Sequence, residues 1–372
     1  MRITRARLVC TSAVAALTLT ACGGPPTAAP DASGGEQAEG EAQSVFAEKM
    51  ELSGQERRDD LLACAQEEGG LDLYTSMNSE VANPVVEAFT DDTDVDVSLY
   101  RAGSETVLQR VLQESGAGFA GNDVVETNAT ELLSLNQEGL LAEYQGERRD
   151  LVPEAGQFEN WTATRFNLFA PSWNTASIGS LGGPPTSWEE LADPRFDGQL
   201  ALEVSDYDWY LTLYGYWQEQ GKTDEEIDRL FAEMADGGKV VKGHAVMTEL
   251  QSAGEYAVAA SPYTYLVDRL STQGAPIEWQ PPVEPVIARP NGVALMKTAT
   301  HPCAALLFTD WILEEGQAVI AEEQLTPAIA QGADPLKDVE LIPVDVEKLL
   351  NESEEWSARY EKVISAGEQV QE

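Results

Sequence analysis

Short apolar segments alternate with amphipathic segments along residues 70 to 140. Leu71 to Tyr74, Val95 to Leu99 and Asp123 to Thr127 have the length and apolar content of buried strands. Each is followed by a segment whose apolar residues recur at helical spacing, as Val81 and Val85 do. Strands and helices alternating through short loops are typical of an open sheet with helices on its faces. The predicted fold class is therefore α/β.

Small polar side chains follow the three predicted strands. In an open α/β sheet, ligands bind at the carboxyl ends of the strands, and two of these polar segments run directly into helix starts. Backbone N–H groups at helix starts favour an anionic group such as a carboxylate or a phosphate. The sequence therefore predicts ligand-binding residues at these ends: Ser76, Asn78, Ser104, Thr127 and Asn128.

Polar and aromatic residues also cluster in the middle of the chain, between about residues 150 and 280. The run Ser205 to Trp209 leads into an aromatic helix, and a predicted strand from Tyr256 to Ala260 precedes Tyr263 and Tyr265. Aromatic rings stack on an organic or cationic solute, and a carboxylate pairs with an amine. For Tyr263 and Tyr265, packing in the core is the alternative. We predict further ligand-binding residues here: Ser205, Asp206, Tyr207, Trp209, Tyr263 and Tyr265.

Residues 1–22 have the pattern of a secretory signal peptide. Three arginines precede an apolar run that is too short to span a bilayer, and small residues end it. The ending Leu19-Thr20-Ala21-Cys22 resembles a bacterial lipobox, in which the cysteine is lipid-modified and becomes the mature N-terminus. An ordinary cleaved signal is the alternative. We therefore expect an extracytoplasmic protein anchored to the cell membrane by lipid on Cys22, with residues 23–44 as a flexible tether.

The net charge, the length and the cysteine count limit the classes of partner and the domain organisation that are possible. A net charge of −41 excludes nucleic acids and anionic lipid surfaces as partners. A chain of 372 residues is longer than a single core usually supports, which predicts two domains. Beyond the signal and the lipobox, Cys64 and Cys303 remain, either as a disulfide in an oxidising compartment or as two buried thiols. Two histidines are too few for a histidine-rich metal site.

Seven short phrases occur in a fixed order along most of the chain: Leu73–Asn78, Asn122–Thr127, Glu138–Leu141, Ser187–Phe196, Gly274–Trp279, His301–Phe308 and Glu315–Gln317. In this order and spacing they resemble the extracellular solute-binding proteins of ABC importers, in the branch named for ferric iron binding. The resemblance implies a type II periplasmic-binding-protein-like fold. In this fold, two crossover hinge strands join two α/β lobes. The lobes close on a ligand in the cleft between them.

The resemblance also implies boundaries for the two lobes. The first lobe takes residues 45–150 and 283–326, and the second takes residues 151–282 and 327–372. Cys64 and Cys303 then lie in the same lobe, which favours the disulfide over two thiols.

The ferric-iron ligands of the family map onto few suitable residues here. The family's histidine position matches Asn78, its glutamate position matches Asn128, and its adjacent tyrosine pair matches Pro262-Tyr263. Because only Tyr263 keeps a ferric ligand, we expect a small organic, phosphorylated or zwitterionic solute rather than bare iron. Ferric iron bound in part by Tyr263 is the alternative.

The motifs favour a receptor over an enzyme. The sequence lacks Gly-x-Ser-x-Gly, His-Glu-x-x-His and a phosphate-binding glycine loop, and we expect no cofactor. An extracellular hydrolase that uses a carboxylate pair such as Glu126 and Asp206 is the alternative from another class. The sequence thus predicts a monomeric receptor that captures a solute and delivers it to ABC permease subunits.

Overall fold

The structure, a computed structural model, describes residues 33–329 and 338–369. The predicted signal peptide, the lipid site at Cys22 and residues 23–32 of the predicted tether lie outside these ranges. Thirteen α-helices occur in the described ranges: α1 Ser33–Met50, α2 Gly54–Glu68, α3 Ser79–Thr93, α4 Ser104–Gly116, α5 Ala129–Gln137, α6 Tyr207–Glu219, α7 Asp224–Ala235, α8 His244–Ala253, α9 Thr264–Thr272, α10 Pro302–Ile312, α11 Gly316–Glu322, α12 Val346–Asn351 and α13 Ser353–Ile364.

The strands form two separate sheets. Their bounds are β1 Leu71–Thr75, β2 Val97–Arg101, β3 Val124–Asn128, β4 Leu141–Ala142, β5 Thr162–Phe169, β6 Ser172–Asn174, β7 Leu200–Glu203, β8 Lys239–Val241, β9 Val258–Ala259, β10 Ile277–Glu278, β11 Val286–Met296, β12 Thr326–Pro327, β13 Leu341–Pro343 and β14 Glu368–Gln369. The first sheet has the order β12-β5-β11-β3-β1-β2, with β4 and β13 also paired to β11. The second sheet has the order β10-β6-β9-β7-β8-β14.

Helices cover both faces of the first sheet, because successive side chains of a strand point to opposite faces. Val124 packs in the cluster formed with α1, α2, α3, α10 and α11, whereas its neighbour Val125 packs in the cluster formed with α4 and α5. Leu295 and Ala294 of β11 divide between the two clusters in the same way. β1, β2 and β3 are parallel, so their carboxyl ends lie at one edge, as the sequence predicted. The predicted α/β class is confirmed.

The chain passes between the sheets three times, and the last passage runs from β13 in the first sheet to β14 in the second. β5 lies in the first sheet and β6, three residues later, lies in the second; β10 then lies in the second sheet and β11 in the first. Sheet membership departs from the expected lobe boundaries at two strands. Both β5 and β13 were assigned to the second lobe, and both pair with β11 because that long strand offers hydrogen-bonding edges to them. The division into lobes otherwise stays a prediction.

The N-terminal helical region differs from the prediction of a flexible tether over residues 23–44. Residues 33–44, expected in the tether, belong to α1, and residues 51–53 separate α1 from α2. Ala42 and Phe46, one helical turn apart, are buried against the first sheet's helices, and this contact stabilises the early helix start. Cys64 of α2 and Cys303 of α10 form a disulfide with 5.8 Å between their Cα atoms. No helix in the described ranges is long and apolar enough to cross a membrane.

Candidate functional site

Two adjoining polar cavities lie at the carboxyl ends of β1, β2 and β3. The small cavity has a volume of about 140 Å³ and the large cavity about 770 Å³. Ser104, Asn128, Tyr263 and Arg289 line both cavities, so the two cavities share a wall, and together they are called the cleft. The cleft therefore lies at the sheet edge that the sequence singled out.

Most of the predicted ligand-binding residues line this cleft. The small cavity is bordered by Ser76, Asn78, Ser104, Asn128, Tyr263 and Tyr265. The large cavity is bordered by Ser104, Asn128, Ser205, Asp206, Tyr207 and Tyr263. The structure thus brings together residues that are almost 190 positions apart in the sequence.

Two of the predicted residues lie away from the cleft surface. Thr127 is fully buried, and its Oγ1 donates a hydrogen bond of 3.0 Å to Ser76 Oγ, so it positions Ser76 from behind. Trp209 is fully buried in the aromatic core of the second sheet, where its ring contacts Trp188 and Phe231. Because Trp209 faces inward on the same helix that presents Tyr207 to the cleft, we remove it from the candidate site.

Four helices begin at the small cavity. Asn78 precedes α3, Asn128 precedes α5 and Tyr263 precedes α9, while Ser104 is the first residue of α4. None of these four helix starts has a side-chain cap that bonds to the first-turn N–H groups. Unpaired N–H groups and the positive end of the helix dipole make such positions favourable for an anion.

Two antiparallel strands of the first sheet supply a polar quartet to the small cavity. Arg165 and Asn167 of β5 stand opposite Asn291 and Arg289 of β11, respectively, and all four line the cavity. The sequence analysis identified none of the four as a ligand-binding residue. The repeated pattern Arg-x-Asn was the available signal, because a spacing of two places both side chains on one face of a strand.

Arg165 is buried together with Glu126. Arg165 Nη1 donates to Glu126 Oε1, and Thr75 Oγ1 donates to Glu126 Oε2 at 2.6 Å. Both charged side chains are less than 5% exposed. The carboxylate of Glu126 is thereby engaged by a cation and a hydroxyl behind the cleft, which makes it a poor metal ligand or catalytic base.

Arg289 connects the two cavities. Its Nη1 donates to Asp208 Oδ2 at 2.9 Å, and its Nη2 donates to the hydroxyl of Tyr263. Burial raises the pKa of Tyr263, although the positive charge of Arg289 opposes the shift. The oxygen of Tyr263 therefore accepts a hydrogen bond from a guanidinium group, which occupies the atom that a ferric ion would bind.

His244, Asp206 and Glu203 line the large cavity on the side of the second sheet. His244 Nε2 lies 2.9 Å from Asp206 Oδ1, and the imidazole stacks on Tyr263 with ring centroids 3.7 Å apart. Burial lowers the pKa of His244, but the charge of Asp206, its hydrogen bond and the charge of Glu203 together outweigh burial, and the pKa is raised. Burial and the charge of Asp206 raise the pKa of Glu203. The sequence analysis did not identify His244 as a site residue, because its partner Asp206 is distant in sequence.

Comparison with known proteins gives the family. The profile of the family described as bacterial extracellular solute-binding protein matches residues 132–345, more than half of the chain. The chain belongs to this family. Members are receptors that work outside the cytoplasm, bind small solutes and deliver them to ABC permeases.

The fold is that of type II periplasmic binding proteins. The fructose-6-phosphate-bound periplasmic binding protein AfuA from Actinobacillus pleuropneumoniae is similar with a TM-score of 0.67 and 21% identity, covering 80% of this chain and 99% of AfuA. Iron-bound HitA from Pseudomonas aeruginosa is similar with a TM-score of 0.66 and 19% identity, covering 79% of this chain and 99% of HitA. An uncharacterized protein of Haemophilus influenzae is 26% identical over 272 residues, or 68% of this chain and 75% of that protein.

Proposed function

We propose that this protein is a lipid-anchored receptor that captures a small organic solute, phosphorylated or zwitterionic, and hands it to an ABC permease. The observation that carries the proposal is the polar quartet of the small cavity. Two guanidinium groups and two carboxamides converge there beside neutral hydroxyl and amide groups. Such a surface recognises oxygen atoms of an organic solute by charge-assisted and neutral hydrogen bonds.

Ferric iron is the second candidate, because Tyr263 lies in the cleft and iron-bound HitA shares the fold. Against it, the amides Asn78 and Asn128 stand where the resemblance places a histidine and a glutamate. Asn78 Nδ2 also donates to the hydroxyl of Tyr265 at 2.9 Å, and Arg289 donates to Tyr263. A hard trivalent cation would meet protonated phenols and a guanidinium here, which favours the organic solute.

A hydrolase has weaker support than either receptor. Glu126 is paired with Arg165, and Asp206 is paired with His244 while it also accepts a hydrogen bond from Ser261. Glu126 and Asp206, the carboxylate pair considered from the sequence, therefore belong to two separate buried networks. They are not placed to act together on one substrate.

The membrane anchor and the monomeric state are parts of the same proposal. The lipobox-like ending at Cys22 supports the anchor, and Cys22→Ser should release the protein from membranes into the soluble extracytoplasmic fraction. Size-exclusion chromatography with light scattering should give the mass of one chain. A membrane-bound Cys22→Ser protein would contradict the anchor without affecting the receptor proposal.

The solute class is tested by native mass spectrometry of protein purified from its host without denaturation. We expect a retained organic molecule that is lost on unfolding, and tryptophan fluorescence that changes when the molecule is added back. Titration with ferric citrate serves as the comparison. Stoichiometric ferric binding with no response to any organic solute would overturn the proposal in favour of the second candidate.

A further inference from the structure

We propose that the small cavity binds a phosphate monoester group, while the remainder of the solute occupies the large cavity. This inference rests on the proposed function and names the solute class for the same cleft. Four features of the small cavity lead to it: its charge, the helix starts, its unpaired polar atoms and its contrast with the large cavity.

Among the described residues that line the small cavity, the only charged ones are arginines, although the protein as a whole is strongly negative. The chain has 64 acidic and 23 basic residues, yet no aspartate or glutamate is among the residues that line this cavity in the described ranges. Arg165 and Arg289 line it instead, and their acidic partners Glu126 and Asp208 stand outside its lining. A bound anion therefore meets two guanidinium groups and no facing carboxylate.

The helix starts add backbone hydrogen-bond donors to the small cavity. Helices α3, α4, α5 and α9 are between 9 and 15 residues long, and all four begin at the small cavity without a side-chain cap. Each brings unpaired backbone N–H groups and the positive end of its dipole. Four such ends are more than the two oxygens of a carboxylate can use, whereas a phosphate monoester has three free acceptor oxygens.

Buried polar atoms in the cavity lining have no partner within the described protein. Arg165 Nε, Asn167 Oδ1 and Asn291 Oδ1 make no hydrogen bond, and their residues are 3%, 6% and 1% exposed. Leaving such atoms unpaired is costly, so a ligand is expected to satisfy them. Arg165 Nε requires an acceptor, and each carboxamide can donate through its NH₂ or accept from a proton or hydroxyl of the ligand. A phosphate monoester offers both, because it carries one or two negative charges near neutral pH.

The large cavity has the opposite character. Glu131, Asp206 and Asp208 line it, and Glu131 Oε2 is buried without a hydrogen-bond partner. Carboxylates accept hydrogen bonds from hydroxyl or ammonium groups and repel a phosphate. The cleft is therefore polarised: the phosphate end of the solute lies at the four helix starts, and hydroxyl groups lie against the acids.

The experiment measures binding of inorganic phosphate and fructose 6-phosphate by isothermal titration calorimetry, with unphosphorylated fructose as the neutral comparison. Asn167→Asp places a carboxylate in the small cavity without changing the side-chain size. Gln220→Glu makes the same change of charge at an exposed residue that lines neither cavity and is the matched control. Ser76→Asp, at a half-buried residue of the small cavity, is the second variant if Asn167→Asp does not fold.

We expect wild-type protein to bind inorganic phosphate, Asn167→Asp or Ser76→Asp to weaken this binding at least tenfold, and Gln220→Glu to change it less than threefold. Absence of phosphate binding by folded wild-type protein, or equal binding by the small-cavity variants, would overturn the inference. Retention of an unphosphorylated host solute would do the same and leave the proposed receptor function standing. If no organic solute of any class binds, the proposed function itself fails.

Discussion

Arg289→Met should destabilise the fold strongly, because it leaves the buried carboxylate of Asp208 without its cation. The two side chains are 11% and 7% exposed, and their N–O distance is 2.9 Å. At an effective dielectric constant of about 20, two unit charges at this distance attract by about 6 kcal/mol before desolvation is subtracted. Removing one member of a buried pair typically costs about 3–5 kcal/mol, which is the expected loss in the free energy of unfolding.

The corresponding change in melting temperature follows from the size of the protein. The 329 residues that the structure describes correspond to an unfolding entropy of about 0.7 kcal/mol per degree. A loss of about 3–5 kcal/mol then lowers the melting temperature by about 4–7 °C. Differential scanning calorimetry of the ligand-free protein measures both the shift and the enthalpy.

Arg58→Met is the matched control, because Arg58 pairs with Asp92 and Glu315 at the surface, where all three side chains are 30–42% exposed. Its expected cost is below about 1 kcal/mol. The double variant Arg289→Met with Asp208→Asn removes both charges and should be more stable than Arg289→Met alone. Equal shifts for the two arginine variants, or strict additivity in the double variant, would refute the argument.

Three further predictions concern the ligand, the disulfide and pH. Tyr263→Ala should weaken solute binding at least tenfold, or about 1.4 kcal/mol, by calorimetry, and unchanged affinity would remove Tyr263 from the site. Reduction of Cys64–Cys303, which closes a loop across 239 positions, should lower the melting temperature by about 7 °C for about 5 kcal/mol; two free thiols in unreduced protein would contradict the bond. The hydrogen bond with Asp123 raises the pKa of His301 above 6.5, so its stabilisation is complete below that pH and decreases as the pH rises. The melting difference between wild type and His301→Gln should therefore be larger at about pH 5 than at about pH 9, and a pH-independent difference would count against the pairing.

The local pattern of the sequence was sufficient for the parallel part of the fold. Strands β1 and β3 and the helices after them have clear periodicity, and polar residues at their carboxyl ends marked one wall of the cleft. Ser76 and Asn128 were therefore identified correctly as cleft-lining residues. Helix α1 was missed because its burial depends on Ala42 and Phe46 meeting helices from distant parts of the chain.

The residues on the opposite wall of the cleft could not be identified from the sequence, because their positions depend on contacts between distant parts of the chain. Trp209 and Tyr207 are two residues apart at the start of α6, and only the packing of the second sheet determines which one is buried. Arg165 and Asn291 lie in apolar strands, where a charged or amide residue resembles an exposed position. Their significance emerges when the antiparallel register of β5 and β11 places them opposite each other.

The strands that carry the polar quartet are also the strands that continue towards the second sheet. β5 leads into β6 after Phe169, and β10 leads back into β11. The residues proposed to bind the solute therefore lie on the same two strands that connect the sheets. A solute bound to Asn167 or Arg289 contacts the backbone within a few residues of the β5–β6 and β10–β11 connections. We therefore expect a substitution in either strand to alter both solute binding and any closure of the two sheets on the solute.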